Sequence, residues 1–417
     1  MNHSDLIYDW NTVKGRDIPA GRKVMLDDET LRDGLQNPSV HDPSIQEKIQ
    51  ILHLMEDLGI DTVNIGLPGA GPRAYADTEA LAREIASCRM RIRPNCAART
   101  HKNDIHPIAE ISQKVGMPIE AATFLGSSPI RRLVEDWTVD HLQRTTEDAV
   151  KFAVSEGLPV MYVTEDTTRA DPETVKTLYS TAIRCGARSI VLCDTVGHAE
   201  PRGAFNLVKF AIDEVVRPSG EKIRVDWHGH NDRGLSIANS LAALAAGADQ
   251  VHGAANSLGE RVGNTPMELM LVNLRLMGLI DRDLSKLKEY SETVARATRT
   301  VVPPNYPVVG RDAFRTATGV HAAAIIKAYR KNDVVLADSV YSGVPAHLFG
   351  LEQVIEIGPL SGRSNVTFWL EKHGIAATDE LVDRIFQAAK QAERIMTDEE
   401  LLALCGSLAQ QKASVKS

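Results

Sequence analysis

His228, Gly229 and His230 place two imidazoles two positions apart. On a strand that spacing points both side chains to one face, with Gly229 leaving the opposite face uncrowded. Two imidazoles converging on one point are what a divalent metal asks for, and a hard carboxylate such as Asp33 can complete the set. A metal held this way is a Lewis acid for an oxygen that gathers charge. Asp33 stands in Asp28-Glu29-Thr30-Leu31-Arg32-Asp33-Gly34-Leu35-Gln36, a run rich in charge where a loop needs only a glycine and a turn. A third polar run, Gly259-Glu260-Arg261-Val262-Gly263-Asn264, adds an amide. Taken singly, each has a plain structural reading. An H-x-H pair is common without a metal, Arg32-Asp33 reads as a surface ion pair, and Asn264 reads as a helix N-cap. A metal site requires them to be brought together, and that depends on the elements that carry them.

Between about residues 22 and 280 one unit recurs: a short β-branched run ending in polar residues, then a longer helical stretch. The short runs are 24–29, 62–67, 91–98, 118–126, 159–167, 189–197, 224–230 and 250–256. Between them apolar residues keep helical spacing, as in Ile49, Leu52, Met55 and Leu58, or Leu235, Ala238, Leu241 and Ala245. Gly59, Gly116, Gly157, Gly186 and Gly247 stand where a helix closes just before a strand. Eight such units in about 260 residues predict a (β/α)8 TIM barrel. A doubly wound open sheet is the runner-up, but it often carries a glycine-rich loop after its first strand, and this chain has none there.

In a TIM barrel, function sits at the C-terminal ends of the strands and in the loops that follow. Asp33 follows the first strand, His228 and His230 end the seventh, and Asn264 follows the eighth. Closure of the barrel sets the first strand beside the eighth, so these residues gather on one arc of the mouth. Glu165 and Asp166 after the fifth strand and Thr195 after the sixth also fall at the mouth. His252, within the eighth strand, suits an inner layer of the barrel, and His321, outside it, reads by itself as an ordinary partly buried histidine.

Residues 1–21 form an N-terminal extension and 22–280 the catalytic barrel. Past 280 the rhythm changes. Residues 281–332 hold a linker helix, broken at Pro303-Pro304-Asn305-Tyr306-Pro307, and a first subdomain. Residues 333–417 form a second subdomain, loop-rich to about 365, with helical runs near 378–394 and 397–412. The fold class is α/β: a TIM barrel, then a small mixed C-terminal subdomain and a helical tail.

Lysine and arginine number 47 against 55 aspartates and glutamates, and the formal charge of −8 argues against binding nucleic acid by neutralising phosphates. An apolar share of 43% and a charged share of 24% exclude wholesale disorder. No apolar run reaches the roughly 18–20 residues of a membrane span, and the N-terminus lacks the apolar core of a secretory signal. Five widely spaced cysteines without a C-x-x-C suit reduced thiols in a cytoplasm.

The runs DETLRDGLQ (28–36), HGHNDRGLSIANSLAALAAGA (228–248) and GERVGNTPMELML (259–271) resemble the signature segments of the DRE-TIM metallolyase superfamily. More narrowly, they resemble the 2-isopropylmalate synthase, homocitrate synthase and citramalate synthase group. VGRDAFRTATGVHAAAIIKA (309–328) is similar to the subdomain these acyltransferases carry after the barrel, and the likeness spans roughly 22–370. The resemblance implies a Claisen-type condensation of acetyl-CoA with a 2-oxo acid, with a divalent ion (Mg2+, Mn2+ or Zn2+) as cofactor and a cytoplasmic homodimer as the working form. It implies Asp33, His228 and His230 as metal ligands, with Asn264 a further or weak one. Arg32 would donate to the keto oxygen, Thr195 would hold the 2-oxo carboxylate, and Gln36 would lie in the same substrate site. Glu165 would orient a water, and His321 would reach the acetyl group from the subdomain, in the manner of a base supplied by a neighbouring subunit.

Two positions depart from the family's pattern where the side chain of the 2-oxo acid should lie. Ala122 stands where a histidine is common, and Cys193 ends Val191-Leu192-Cys193 where N-I-P is frequent. Both point to a larger or more apolar substrate. The sequence stops near 417, short of the large regulatory domain of leucine-inhibited members, so feedback control by that route is not expected. The alternatives are homocitrate or citramalate synthase specificity, and a hydroxymethylglutaryl-CoA lyase-like cleavage. Arg32-Asp33-Gly34-Leu35-Gln36-Asn37 resembles that lyase branch, but the loop after the eighth strand lacks the cysteine the branch uses. A scaffold without catalysis is a third reading, disfavoured by retention of the whole set from Asp33 to Asn264.

Overall fold

The structure, a computed structural model, describes residues 6–13, 15, 17–19 and 21–414, with side chains described as far as 406. Eight strands are β1 (Met25–Asp28), β2 (Thr62–Asn64), β3 (Arg93–Arg99), β4 (Glu120–Gly126), β5 (Val160–Glu165), β6 (Ser189–Asp194), β7 (Arg224–Gly229) and β8 (Gln250–Gly253). They run parallel and close in chain order, β1 pairing with β8 so that Met25 faces Gln250 and Asp28 faces Gly253. The expected TIM barrel is observed, and every strand lies within a run read from the sequence except β3, which extends one residue past its run to Arg99.

Alternation along the strands explains the layers. Leu26, Val225, Trp227 and Val251 are fully or almost fully buried, and they alternate with Asp27, Asp226 and His252. One side of each strand thus meets the surrounding helices while the other fills the barrel. That filling is polar at its lower level. Asp27 accepts from Thr62 and from Asn95 Nδ2, the latter at 2.7 Å, and Glu120 accepts from Ser189 Oγ at 2.8 Å and Arg224 Nη2 at 2.9 Å. Helix Ile45–Asp57 opens on a capping box between Ser44 and Glu47. The five helix-closing glycines all have φ between +69° and +126°, the left-handed stop expected of them.

The chain divides into two compact units, Asn11–Val302 and Pro303–Ser417 with Met1–Trp10. The sequence reading ended the barrel at 280, whereas the barrel unit continues through helix Leu287–Thr298. The reason is a buried tie. Tyr290 is fully buried on that helix, its hydroxyl donates to the Asp28 carboxylate, and Thr30 Oγ1 lies 3.2 Å from it.

The second unit holds helices Gly319–Tyr329, Val334–Ser339, Arg363–Lys372, Asp379–Gln391 and Asp398–Ser414, and a parallel pair of strands, Arg315–Thr316 with Val354–Ile355. Three of these short elements begin in the stretch expected to be loop. The expected division between 332 and 333 is crossed by one apolar cluster of Ala322, Ile325, Ile326, Ala337 and Ile355. The tail helices pack around Ile357, Val366, Trp369, Leu370 and Ile385. Among the described residues no helix is long and apolar enough to cross a membrane.

Candidate active site

Arg32, Asp33, Gln36, Ala122, Glu165, Cys193, Thr195, His228 and His230 line one cavity of about 190 Å3 at the C-terminal mouth of the barrel. Residues singled out on five different strand ends or following loops therefore meet. Asp33 Oδ2 lies 3.4 Å from His228 Nε2 and 3.6 Å from His230 Nε2, and the two imidazole nitrogens are 3.3 Å apart. Donors that share one ion at about 2.0–2.2 Å stand roughly 3.0–3.5 Å from each other, so this triangle has the dimensions for one ion. Asn264 completes the arc. Its Nδ2 donates to Asp33 Oδ2 at 2.9 Å and to the Leu258 carbonyl at 3.0 Å, while its Oδ1 is buried without a partner. An unpartnered acceptor beside three convergent donors fits a fourth ligand.

Local structure explains how the sequence places these groups. The opposite side of Gly229 is not open, as the sequence reading had it. A Cβ there would stand 3.0 Å from Trp227 Nε1, so glycine lets the strand carry two histidines past a buried indole. The loop after β8 is laced to the end of β7 by Thr265 N–H to the Gly229 carbonyl (2.9 Å) and Asn231 N–H to the Gly263 carbonyl (2.9 Å). Gly263 has φ +91°, and any Cβ would collide with the Ser257 carbonyl, so only glycine closes this loop and sets Asn264 in place.

The electrostatics match ligands in their deprotonated forms. Burial pushes the Asp33 carboxyl up, but Arg32, His228 and His230 outweigh it and hold the group well below the usual carboxylate range. Burial, with His228 beside it, pulls His230 down to about 4. Arg32 is gripped by two carboxylates, donating through Nη2 to Glu29 Oε2 at 2.6 Å and lying 3.4 Å through Nη1 from Asp33 Oδ1. Its Nε is buried without a partner, a fixed donor held in reserve.

Glu165 lines the cavity from the end of β5. Burial raises its carboxyl above the ordinary value against the pull of Arg131, with Glu260 adding to the rise. Thr195 Oγ1 accepts the Asp166 backbone N–H at 2.8 Å, which leaves its own proton to donate. The Asp166 carboxylate is taken up by Arg169 at 2.6–3.0 Å and serves the loop. Ala122, Met161, Val191 and Cys193 form a buried apolar cluster with Val163 against it, and all five line the cavity. Burial keeps the Cys193 thiol raised well above its usual range, hence neutral.

His321 lies in the second unit, on helix Gly319–Tyr329, and it is exposed where partial burial was expected. Its ring stacks on Tyr341 with centroids 4.0 Å apart, a neighbour the sequence reading did not name. Glu29, Phe124, Met161, Val163, His252 and Glu260 also line the cavity and were not among the predicted site residues. The period-two rule would have found some of them, since Val163 precedes Glu165 by two and Phe124 follows Ala122 by two. Arg261 was missed as well. It donates to the Thr195 carbonyl and clamps Asp232 at 2.8 and 3.0 Å, tying the loops after β6, β7 and β8 together.

Comparison with known proteins adds four findings. The chain is 33% identical over 374 residues to a probable 2-isopropylmalate synthase of Methanopyrus kandleri, covering 88% of this chain and 70% of that one. It is 30% identical over 385 residues to homocitrate synthase AksA of the same organism, covering 92% and 90%. Among solved structures, an HMG-CoA lyase of Bacillus subtilis superposes with a TM-score of 0.58 at 19% identity, covering 69% of this chain and 97% of that one, a likeness of fold alone. The HMGL-like family pattern matches residues 23–294, from just before β1, through every strand end that carries a site residue, and into the helix bearing Tyr290. By that match and the identity that extends beyond it, the chain belongs to the HMGL-like family.

Proposed function

We propose that this protein condenses acetyl-CoA with a 2-oxo acid, giving a 2-substituted malate and free CoA, with a divalent ion as cofactor. The observation that carries the reading is the donor triangle of Asp33, His228 and His230 beside an arginine with a free buried donor. Curated relatives at 30% identity or more that cover most of this chain include 2-isopropylmalate synthases and a homocitrate synthase.

When bound, the ion acts as a Lewis acid toward the 2-oxo acid, and two-His, carboxylate and amide ligation suits Mg2+, Mn2+ or Zn2+. Arg32 donates to the keto oxygen as it becomes an alkoxide, where a preorganised donor is most effective. Thr195 turns its free hydroxyl proton to the substrate carboxylate, and Gln36 contacts the substrate from the loop after β1. His321 removes the methyl proton of the thioester, histidine being the side chain suited to that task near neutral pH. The resulting carbanion forms the new bond to the keto carbon as its C=O π pair moves to oxygen, and the alkoxide then takes up one proton, equal to the one His321 removed, to become the product's hydroxyl. Glu165 orients the water that then hydrolyses the thioester and frees the CoA thiol.

The apolar wall of Ala122, Met161, Val163, Val191 and Cys193 favours a 2-oxo acid with an apolar side chain, larger than that of pyruvate. Among the described residues lining the cavity Arg32 is the one arginine and there is no lysine, so a side-chain carboxylate such as that of 2-oxoglutarate finds no free cation against this wall. The lyase reading is not favoured. Lyases match in fold at 19% identity, whereas the synthases match in sequence across both units. Five free cysteines fit work in the cytoplasm, and the resemblance supports a homodimer.

The test is a CoA-release screen on metal-replete protein with pyruvate, 2-oxoisovalerate, phenylpyruvate and 2-oxoglutarate. Release is expected to be greatest with branched or bulkier apolar acids and abolished by a chelator. No release with any acid in the panel overturns the reading.

A further inference from the structure

Helices Ile45–Asp57 and Pro72–Cys88 pack side by side on the outer wall, burying Ile51, Leu52 and Met55 on one and Leu81, Ala82 and Ile85 on the other. Two ties fix the pair. Lys48 Nζ donates to Asp77 Oδ2 at 2.7 Å, and Glu56 accepts the backbone N–H groups of Arg91 and Ile92 at 2.9–3.1 Å. Between those ties three donors of different chemistry converge. His53 Nε2 lies 2.7 Å from Glu84 Oε1, and Cys88 Sγ donates to the same oxygen at 3.3 Å. One atom from each residue lies within 4.8 Å of the other two. Glu84 and Cys88 stand four apart, one above the other on a helix, and His53 comes from the neighbouring helix. Each barrel helix runs back from the mouth. This cluster near the ends of two helices therefore lies at the opposite end of the barrel from the cavity and has no part in the chemistry above.

We propose that His53, Glu84 and Cys88 form a metal site separate from the barrel mouth, a clasp for one Zn2+ across the first two long helices, with water as fourth ligand. Imidazole, carboxylate and thiolate are the donors Zn2+ takes in tetrahedral geometry, whereas Mg2+ and Ca2+ take oxygen. Ligands of one zinc ion stand roughly 3.0–3.7 Å apart, so His53 and Glu84 need to part by less than about 1 Å. All three side chains are partly or well exposed, so that shift meets no packed neighbour and the ion has open access. The hydrogen bond to Glu84 holds the Cys88 thiol above its usual value. Entry of the ion drives the thiol proton into solvent and leaves the thiolate as ligand. The packed helix faces and the two ties hold the backbones in register, so the donor set is assembled before the ion arrives. The rival is plain: His53 and Glu84 make an ordinary surface ion pair, and Cys88 is an inert thiol beside it.

The experiment titrates full-length protein, kept reduced with a phosphine, with Co2+, whose thiolate complexes absorb in the near ultraviolet, and with Zn2+ by calorimetry. Wild type is compared with Cys88→Ser, His53→Gln and Glu84→Gln, each also in an Asp33→Ala background that silences the barrel site. Expected is a thiolate–cobalt band in wild type and in Asp33→Ala, bleached by excess Zn2+ and absent from Cys88→Ser. His53→Gln and Glu84→Gln should each weaken Zn2+ binding there by more than about tenfold, since even outer partners of a metal ligand are worth that much. Excess Zn2+ should raise the unfolding temperature of Asp33→Ala but not of Asp33→Ala/Cys88→Ser. No band, or a band that persists in Cys88→Ser, overturns the site. A band lost in Cys88→Ser but insensitive to His53→Gln and Glu84→Gln shows a thiol acting alone and overturns the clasp. Should Asp33→Ala fail to fold, the difference between wild type and Cys88→Ser isolates the same band. None of these readouts uses CoA release, so the clasp stands or falls apart from the condensation reading.

Discussion

Asp33 Oδ2 takes a hydrogen bond from Asn264 and faces two imidazole nitrogens, so replacing the side chain removes the centre of the donor triangle. Asp33→Ala is expected to abolish Mn2+ binding in a calorimetric titration and CoA release with it, while Arg32→Ala keeps the metal and loses about 10²–10³-fold in kcat. Retained Mn2+ affinity in Asp33→Ala would place the metal elsewhere. Ala122 sits in the apolar wall at 5% exposure, so a larger side chain there must enter the cavity. Ala122→Phe is expected to lower kcat/KM for 2-oxoisovalerate relative to pyruvate by at least tenfold, a difference of one to two methylenes in pocket discrimination. These residues were legible because a polar or out-of-pattern residue stood at a strand end. Met161, Val163 and Val191 were passed over, because an aliphatic residue in a strand looks the same whether it lines a pocket or fills a core until the period of two is counted back from a site residue at the strand end.

Helix Leu287–Thr298 shows what an element adds that a pattern does not. Its eight buried residues suited any helix packed on anything, and long-range bonds assign it to the barrel: Tyr290 to Asp28, Asn256 Nδ2 to the Ser291 carbonyl, and His41 N–H to the Thr298 carbonyl. Tyr290→Phe leaves a buried carboxyl and a threonine short of a partner and should destabilise the protein by about 1–3 kcal/mol in denaturant unfolding. Burial, opposed by the bonds from Thr30 and Tyr290, raises Asp28 from an ordinary 3.8 to about 7. A folded-state value above the unfolded one means that Asp28 contributes stability below about pH 4 and that this contribution is lost as the pH rises through about 7. Asp28→Asn removes that dependence, so the unfolding free energy of the variant should gain on the parent between pH 4 and 8. A difference that stays flat over that range would show Asp28 to be ordinary. In the loop after β8, Gly263→Ala should weaken Mn2+ affinity, since the displaced loop carries Asn264 away from Asp33.

For the whole molecule, the barrel and the second unit were both expected, but their composition was not. The boundary moved because tertiary contacts, which no local rhythm records, assign the helix after 280 to the barrel and run an apolar cluster across 332 and 333. The dimer implied by the resemblance predicts a species of twice the chain mass in sedimentation. If His321 serves the barrel of a neighbouring subunit, co-refolded Arg32→Ala and His321→Ala chains should recover part of the activity that each lacks alone. Two inactive parents that stay inactive as a mixed dimer would confine each site to one chain.

The sequence by itself determined the barrel, the order of its strands and the ring of polar residues at their ends, because period-two burial, helix-closing glycines and strand-end chemistry are local signals. It also determined which residue types stood ready for a metal. Only the tertiary structure decided that Asp33, His228, His230 and Asn264 meet within hydrogen-bonding reach, that Arg32 is braced by Glu29, and that one wall of the cavity is wholly apolar. Those facts depend on barrel closure and on distances between strands far apart in the chain, and no spacing along a sequence encodes a distance across a barrel.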